Sequence, residues 1–232
     1  VSAEEVAEAL ERLALVIQDR RTLGAALAGI AEAAVLSVPG CDAASVALSI
    51  EGRPATAAAT ARVALELDLV QYDNAEGPCL TSFHTVEAIR LDIVESGEAF
   101  PHFSRAARDR GIIGVLSVPA TWGSEVVATL NLYNRRGPFD ETAESVARVL
   151  AAQAAIAVSR SPEYALARAT VEQAQRDLDD RADIDVASGL LMATQGCTSE
   201  QAEGLLRQAA DQEAQTILQI AHRILDEHNN TR

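Results

Sequence analysis

The segment from residue 112 to residue 133 constrains the fold more than any other. Residues 112–120 and 125–133 are apolar-rich arms on either side of a turn at Trp122-Gly123. In the second arm Val126, Ala128, Leu130 and Leu132 share one face, so Thr129, Asn131 and Tyr133 fall on the other. Arms joined by so short a turn must pair antiparallel. Residues 45–50 repeat the pattern, with Val46, Leu48 and Ile50 on one face. Glu51-Gly52-Arg53-Pro54 reads as a turn, and residues 55–60 as the returning strand.

Helices flank these hairpins. Val6, Leu10, Leu13 and Ile17 form a stripe that suits a short coiled-coil seam. A second helix covers 22–36 and stops before Pro39-Gly40. Residues 61–110 are mixed, with turn signals at Glu76-Gly77-Pro78 and Ser96-Gly97 and a short helix over 103–110. Residues 139–160 read as a helix, with Asp140 as N-cap and Val146, Val149, Leu150 and Ile156 as its stripe. Strands and helices in this order predict an α+β domain built on an antiparallel sheet.

Ser161-Pro162-Glu163 is a helix restart: an N-cap, a proline in the first turn, and an acid near the positive end. The chain therefore divides into 1–160, a helical linker over 161–178, and a small helical domain over 179–232. The long helix runs to about residue 195, with Ile184, Ala187, Leu190 and Leu191 on its apolar face, and Gly196 stops it. Thr198 and Gln201 form a capping box. The helix that follows buries Ala202, Leu205, Leu206 and Ala209, and the last carries Ile217, Ile220, Ala221, Ile224 and Leu225.

The chain has no lysine; all 19 basic residues are arginine, and the net charge is −15. That removes the basic surface on which nucleic-acid binding usually rests. The three cysteines, Cys41, Cys79 and Cys197, are too few and too scattered for a disulfide framework or a zinc site. No apolar run is long enough to span a bilayer, and the acidic, helical VSAEEVAEAL is unlike a signal peptide. A cytoplasmic protein with no membrane partner is expected.

Two stretches resemble known families. QYDNAEGPCL (71–80), VEAIRLDIVES (86–96), FPHFSRAARDRGIIGVLSVPA (100–120), VVATLNLYNRRGPFDE (126–141) and LAAQAAIAV (150–158) resemble, in this order, the GAF domain of actinobacterial sensor proteins. The resemblance implies a central antiparallel sheet, helices behind it and a small-molecule pocket on the other side. DRADIDVASGLLMATQGCTSEQAEGLLRQAA (180–210) with ILQIAHRIL (217–225) resembles the ANTAR module. That resemblance implies a three-helix unit that binds paired RNA hairpin loops and prevents a terminator from forming. Ser188, Thr194, Glu203 and Ala214 depart from the pattern, where lysine, arginine, phenylalanine and asparagine are usual. Residues 163–232 hold thirteen acids against six arginines.

The candidate RNA contacts are Arg176, Arg181, Arg207 and Arg223, although Arg207 also has Glu203 one turn back. Candidate pocket residues are Tyr72, Cys79, Asn131 and Tyr133; Trp122 lines a pocket or stands at an exposed edge. Cys79 is either a reactive thiol or a small buried residue in a turn. His84 and His102 lack metal-ligand spacing, and His222 and His228 read as exposed helix residues. No catalytic triad, phosphate loop or acidic metal motif stands out, and no cofactor is identified. The leading reading is a dimeric sensor-regulator, not an enzyme. The alternative is a protein-interaction or dimerisation module whose helical domain no longer binds RNA.

Overall fold

The computed structural model describes residues 22–50, 53–95 and 99–230. The stripe at Val6, Leu10, Leu13 and Ile17, the turn residues 51–52 and the Ser96-Gly97 turn lie outside the described residues. Eight helices and five strands are found among those described. They form two compact units, one extending to Arg168 and one starting at Ala169.

The first unit is a five-stranded sheet in the order β2-β1-β5-β4-β3, antiparallel at every pairing. The strands are β1 (Ala43–Ile50), β2 (Arg53–Ala59), β3 (Ile89–Asp92), β4 (Gly114–Trp122) and β5 (Glu125–Asn134). The expected hairpin joins β4 to β5 through Gly123, whose φ of 62° fits the left-handed backbone of a two-residue turn. Arg53 and Pro54 belong to a strand and not to a turn. Proline is tolerated there because β2 is an edge strand. Pro119 lies inside β4, but β3 pairs only with Gly114 to Ser117, so one side of Pro119 is free of a partner strand.

Alternation gives the sheet two chemically different faces. Val46, Leu116, Val118, Ala128, Leu130 and Leu132 lie on one. Two helices cover it, α1 (Leu23–Ser37) and α5 (Glu141–Ser159). Both are rich in alanine (Ala31, Ala34, Ala147, Ala151 and Ala154 are all buried), and small side chains let helix and sheet approach closely. Asp140 caps α5 by accepting from Ala143 N at 2.8 Å. Two stripe assignments need correction. A bulge between Ala120 and Thr121 rotates the strand, so Val127 and not Val126 joins the apolar face. In α5 Val149 is exposed, because the alanine row around Leu150 takes the buried face.

The opposite face presents Ser45, Ser117, Thr129, Asn131 and Tyr133, all buried. Three helices lie over it: α2 (Arg62–Asn74), α3 (Pro78–Thr85) and α4 (Pro101–Asp109). The next helix in the chain, α6 (Pro162–Gln195), starts within the first unit. There Tyr164 OH donates to Ser49 O at 2.6 Å, and Arg168 pairs with Glu125.

The second unit comprises the rest of α6 with α7 (Ser199–Glu213) and α8 (Ile217–Asn230). Gly196, at φ 67°, ends α6 with its N–H on Met192 O. Thr198 and Gln201 cap α7 reciprocally, and Thr216 and Gln219 repeat that geometry at α8. Leu206, Ala210 and Ile220 form the core, with Ile184, Leu191 and Ile224 packed against it. Leu205 is 37% exposed, one position out of phase with the buried row Ala202, Leu206 and Ala210. No helix among the described residues is long and apolar enough to cross a membrane.

Gly114 is a steric test of this packing. A Cβ there would lie 2.2 Å from Gly137 O and 2.8 Å from Pro138 Cα, both backbone. Gly114→Ala is expected to cost about 2–3 kcal/mol in urea unfolding. Gly204→Ala, mid-helix with open space around it, is expected to gain about 0.5–1 kcal/mol.

Candidate ligand cleft and nucleic-acid surface

A fully buried carboxyl group organises the polar face of the sheet. Asp68 lies on the inner side of α2 with Ala64, Leu67 and Gln71. Its Oδ1 accepts from Tyr133 OH at 2.7 Å and from Asn131 Nδ2 at 3.2 Å. Its Oδ2 accepts from Thr56 Oγ1 at 2.8 Å. With its proton spent on Asp68, Thr56 must accept from Tyr72 OH, 3.0 Å away. Ser117 in turn donates to Asn131 Oδ1 at 2.8 Å, which fixes the amide so that its nitrogen faces Asp68.

None of the groups acting on Asp68 is a cation. Burial therefore pushes its pKa up, and the donors Tyr133, Ser45, Thr56 and Asn131 pull it back only in part. Burial and the nearby Asp68 charge also push Tyr72 and Tyr133 well above the usual phenol range.

Tyr72 connects this network to the surface. Its ring lines a cleft of about 590 Å³ together with Glu76, Gly77, Leu80, His84 and Phe100. Gly77 forms part of the cleft wall at φ 140°, and any Cβ there would meet Gln71 Oε1 at 2.3 Å. Gln71 Oε1 accepts from Cys79 N at 2.8 Å and so holds the start of α3. Its Nε2, like Ser82 Oγ, is buried without a hydrogen-bond partner. Glu76 Oε1 accepts from the N–H groups of His102 (2.6 Å) and Phe103 (3.1 Å), at the start of α4.

Of the four pocket residues expected from sequence, only Tyr72 lines this cleft. Asn131 and Tyr133 are sealed beneath α2 in the Asp68 network. Cys79 is buried in the first turn of α3, and its thiol is pushed up to about 12 by burial and by the Asp68 charge. Cys41 is likewise pushed up to about 12, chiefly by burial. Both are thiols at neutral pH, and neither is a ready nucleophile. Trp122 stands half-exposed at the hairpin tip, away from the cleft lining. His84 lines the cleft, whereas His102 contributes its backbone N–H. His222 bonds Asp183 at 2.9 Å. No group of three or more potential metal ligands occurs among the described residues.

Asp68 was not apparent from sequence. The available signal was its phase, since Ala64, Leu67 and Gln71 place it on the buried side of the helix, where an acid must be fully hydrogen-bonded.

The four candidate RNA contacts are exposed but differ in their bonding. Arg207 pairs with Glu203 at 3.3 Å. Arg223 grips both oxygens of Glu213, holding that carboxyl below its usual range. Arg176 bonds Gln173 Oε1 at 3.1 Å. Arg181 is exposed and makes no comparable bond among the described residues. Exposed pairs of this kind contribute little stability, so a phosphate can displace them at low cost.

Residues 20–159 match the family model described as the GAF domain, and residues 172–225 match that of the ANTAR domain. The first unit is similar to the GAF domain of a Coxiella burnetii phosphoenolpyruvate-protein phosphotransferase, at 18% identity and a TM-score of 0.54. The corresponding Acinetobacter domain aligns at 19% and 0.52; each alignment covers 68% of this chain and 95% of the other. The A. aeolicus nlh2 GAF domain in an inactive state aligns at 12% and 0.51, covering 67% of this chain and 96% of its own. These likenesses concern the fold alone. No curated protein matches the chain.

The raised pKa of Asp68 fixes the sign of a pH effect. Stability from the neutral acid is complete below the ordinary carboxylate range and is lost as pH rises through the raised folded value. The stability of the wild type relative to Asp68→Asn is therefore expected to increase when urea unfolding is moved from about pH 8 to about pH 5. A difference independent of pH would contradict this assignment.

Proposed function

The chain belongs to the GAF-domain family and carries an ANTAR domain behind it, and on that premise we propose that it is a signal-sensing transcription regulator acting by antitermination. The GAF unit detects a small molecule, the ANTAR unit binds RNA with paired hairpin loops, and the chain acts as a homodimer in the cytoplasm. The observation that carries this reading is the order of the two domains in one chain.

The signal passes along α6, which starts in the first unit and ends in the second. Residues 161–178 act as the linker, and residues 179–232 make the RNA contacts. Such control requires the ligand to bind two arrangements of the protein with different affinity. Arg181 is the leading contact because it is exposed and makes no ion pair among the described residues. Arg207, Arg223 and Arg176 join it by exchanging their protein partners for phosphate or bases. The GAF–ANTAR architecture supports a regulator and not an enzyme.

The pairing of Arg207 and Arg223 with acids favours a second reading, a dimerisation module without RNA binding. Filter binding of the full chain to a two-hairpin RNA separates the two. The expected result is saturable binding that weakens steeply with added salt. Arg181→Ala should weaken it by about tenfold, the equivalent of one charge-assisted hydrogen bond. Absence of binding at low salt would support the dimerisation module instead.

A further inference from the structure

The reading of the GAF unit as a small-molecule sensor leaves the chemistry of its ligand open, and the inference here rests on that reading. Three features of the cleft bear on it. Among the described lining residues the one fixed charge is negative, that of Glu76. Glu76 Oε1 is engaged by two backbone N–H groups, while Oε2 has no protein donor among the described residues. The lining also includes two aromatic side chains, Tyr72 and Phe100, whose faces attract cations.

A second carboxyl group lies behind Tyr72. Its hydroxyl bonds Thr56, and Thr56 bonds Asp68, so one hydroxyl relay separates the cleft wall from a buried carboxyl without a counter-ion. A cation at the cleft mouth favours the ionised form of that carboxyl, against the burial that favours the neutral one. An anion there would face Glu76 directly and Asp68 through the relay.

We propose that this cleft binds a small organic cation, a molecule carrying an ammonium or guanidinium group. Glu76 is its contact counter-ion, Tyr72 and Phe100 are its aromatic walls, and Asp68 is the buried carboxyl joined to that wall through Thr56 and Tyr72. Gly77 lets this part of the wall lie close against the buried Gln71, where a Cβ would be 2.3 Å from Oε1. Asp68 acts as a positioning residue: it orients the Tyr72 hydroxyl and does not touch the ligand.

The test is thermal unfolding and isothermal titration of the full chain near neutral pH with probes matched in size but not in charge. Ethanolamine and methylguanidine are the cations, ethylene glycol and acetamide the neutral controls, and acetate the anion. Saturable binding and a rise in Tm are expected for the cations alone. Glu76→Gln, which keeps the oxygen that caps α4, should weaken binding about tenfold. Asp68→Asn should weaken it less. Tyr72→Phe should uncouple the effect of Asp68, so that Asp68→Asn adds nothing in that background.

Equal responses to neutral and cationic probes would overturn the proposal, as would no response to either cation. Unchanged affinity in a folded Glu76→Gln chain would also overturn it. Cation binding by a chain that does not bind RNA would remove the antitermination reading and leave this site in place. RNA binding by a chain indifferent to cations would do the reverse.

Discussion

A buried carboxyl without a cation is the constraint around which the first unit is arranged. Asp68 has no exposure to solvent, so nearly every lone pair must find a donor inside the protein. Tyr133 and Asn131 come from β5, Thr56 from the edge strand β2, and Ser45 from β1. One side chain of α2 thus specifies the position of three strands. Ser117 extends that control to β4 by fixing the Asn131 amide. Removing one donor leaves a buried oxygen unsatisfied, which costs more than the bond itself contributes.

This requirement explains the contrast between the two faces of the sheet. Alanine-rich helices close the apolar face, where dispersion and burial suffice. The polar face is closed by hydrogen bonds, and three buried groups there, Gln71 Nε2, Ser82 Oγ and Ser104 Oγ, have no hydrogen-bond partner among the described residues. A core that is polar and incompletely satisfied on one side only is costly to maintain. Such sites are retained where binding or switching uses them, and the cleft against Tyr72 is the route by which this one meets the outside.

The parts of the fold that follow one strong period were legible in the sequence. The β4–β5 hairpin, α1, α5, the α6 stop at Gly196 and the capping box at Thr198 all follow from spacing and cap chemistry. Of residues 61–110, only the short helix at 103–110, found as α4, yielded to the same reading. Two of their three helices, α3 and α4, are short, and α3 starts at the proline of a Gly-Pro pair that reads equally well as a turn. The inner row of α2 mixes Leu67 with Asp68 and Gln71, which obscures its apolar period. The bulge at Ala120/Thr121 was invisible because it depends on pairing and not on composition. Of the cleft, Tyr72 was visible as an aromatic beside a turn. Asn131 and Tyr133 were correctly placed on the polar face, but whether that face is open or closed depends on α2, which spacing did not reveal.

The central claim is that ligand occupancy in residues 20–159 alters RNA binding in residues 172–225. The most direct measurement is the affinity of the full chain for a two-hairpin RNA with and without saturating methylguanidine, together with the affinity for methylguanidine with and without RNA. The account predicts that each affinity changes, by the same factor in both directions, as linkage requires of two sites on one molecule. Two affinities that are both measurable and mutually indifferent would contradict it, since the two units would then share a chain without sharing a signal.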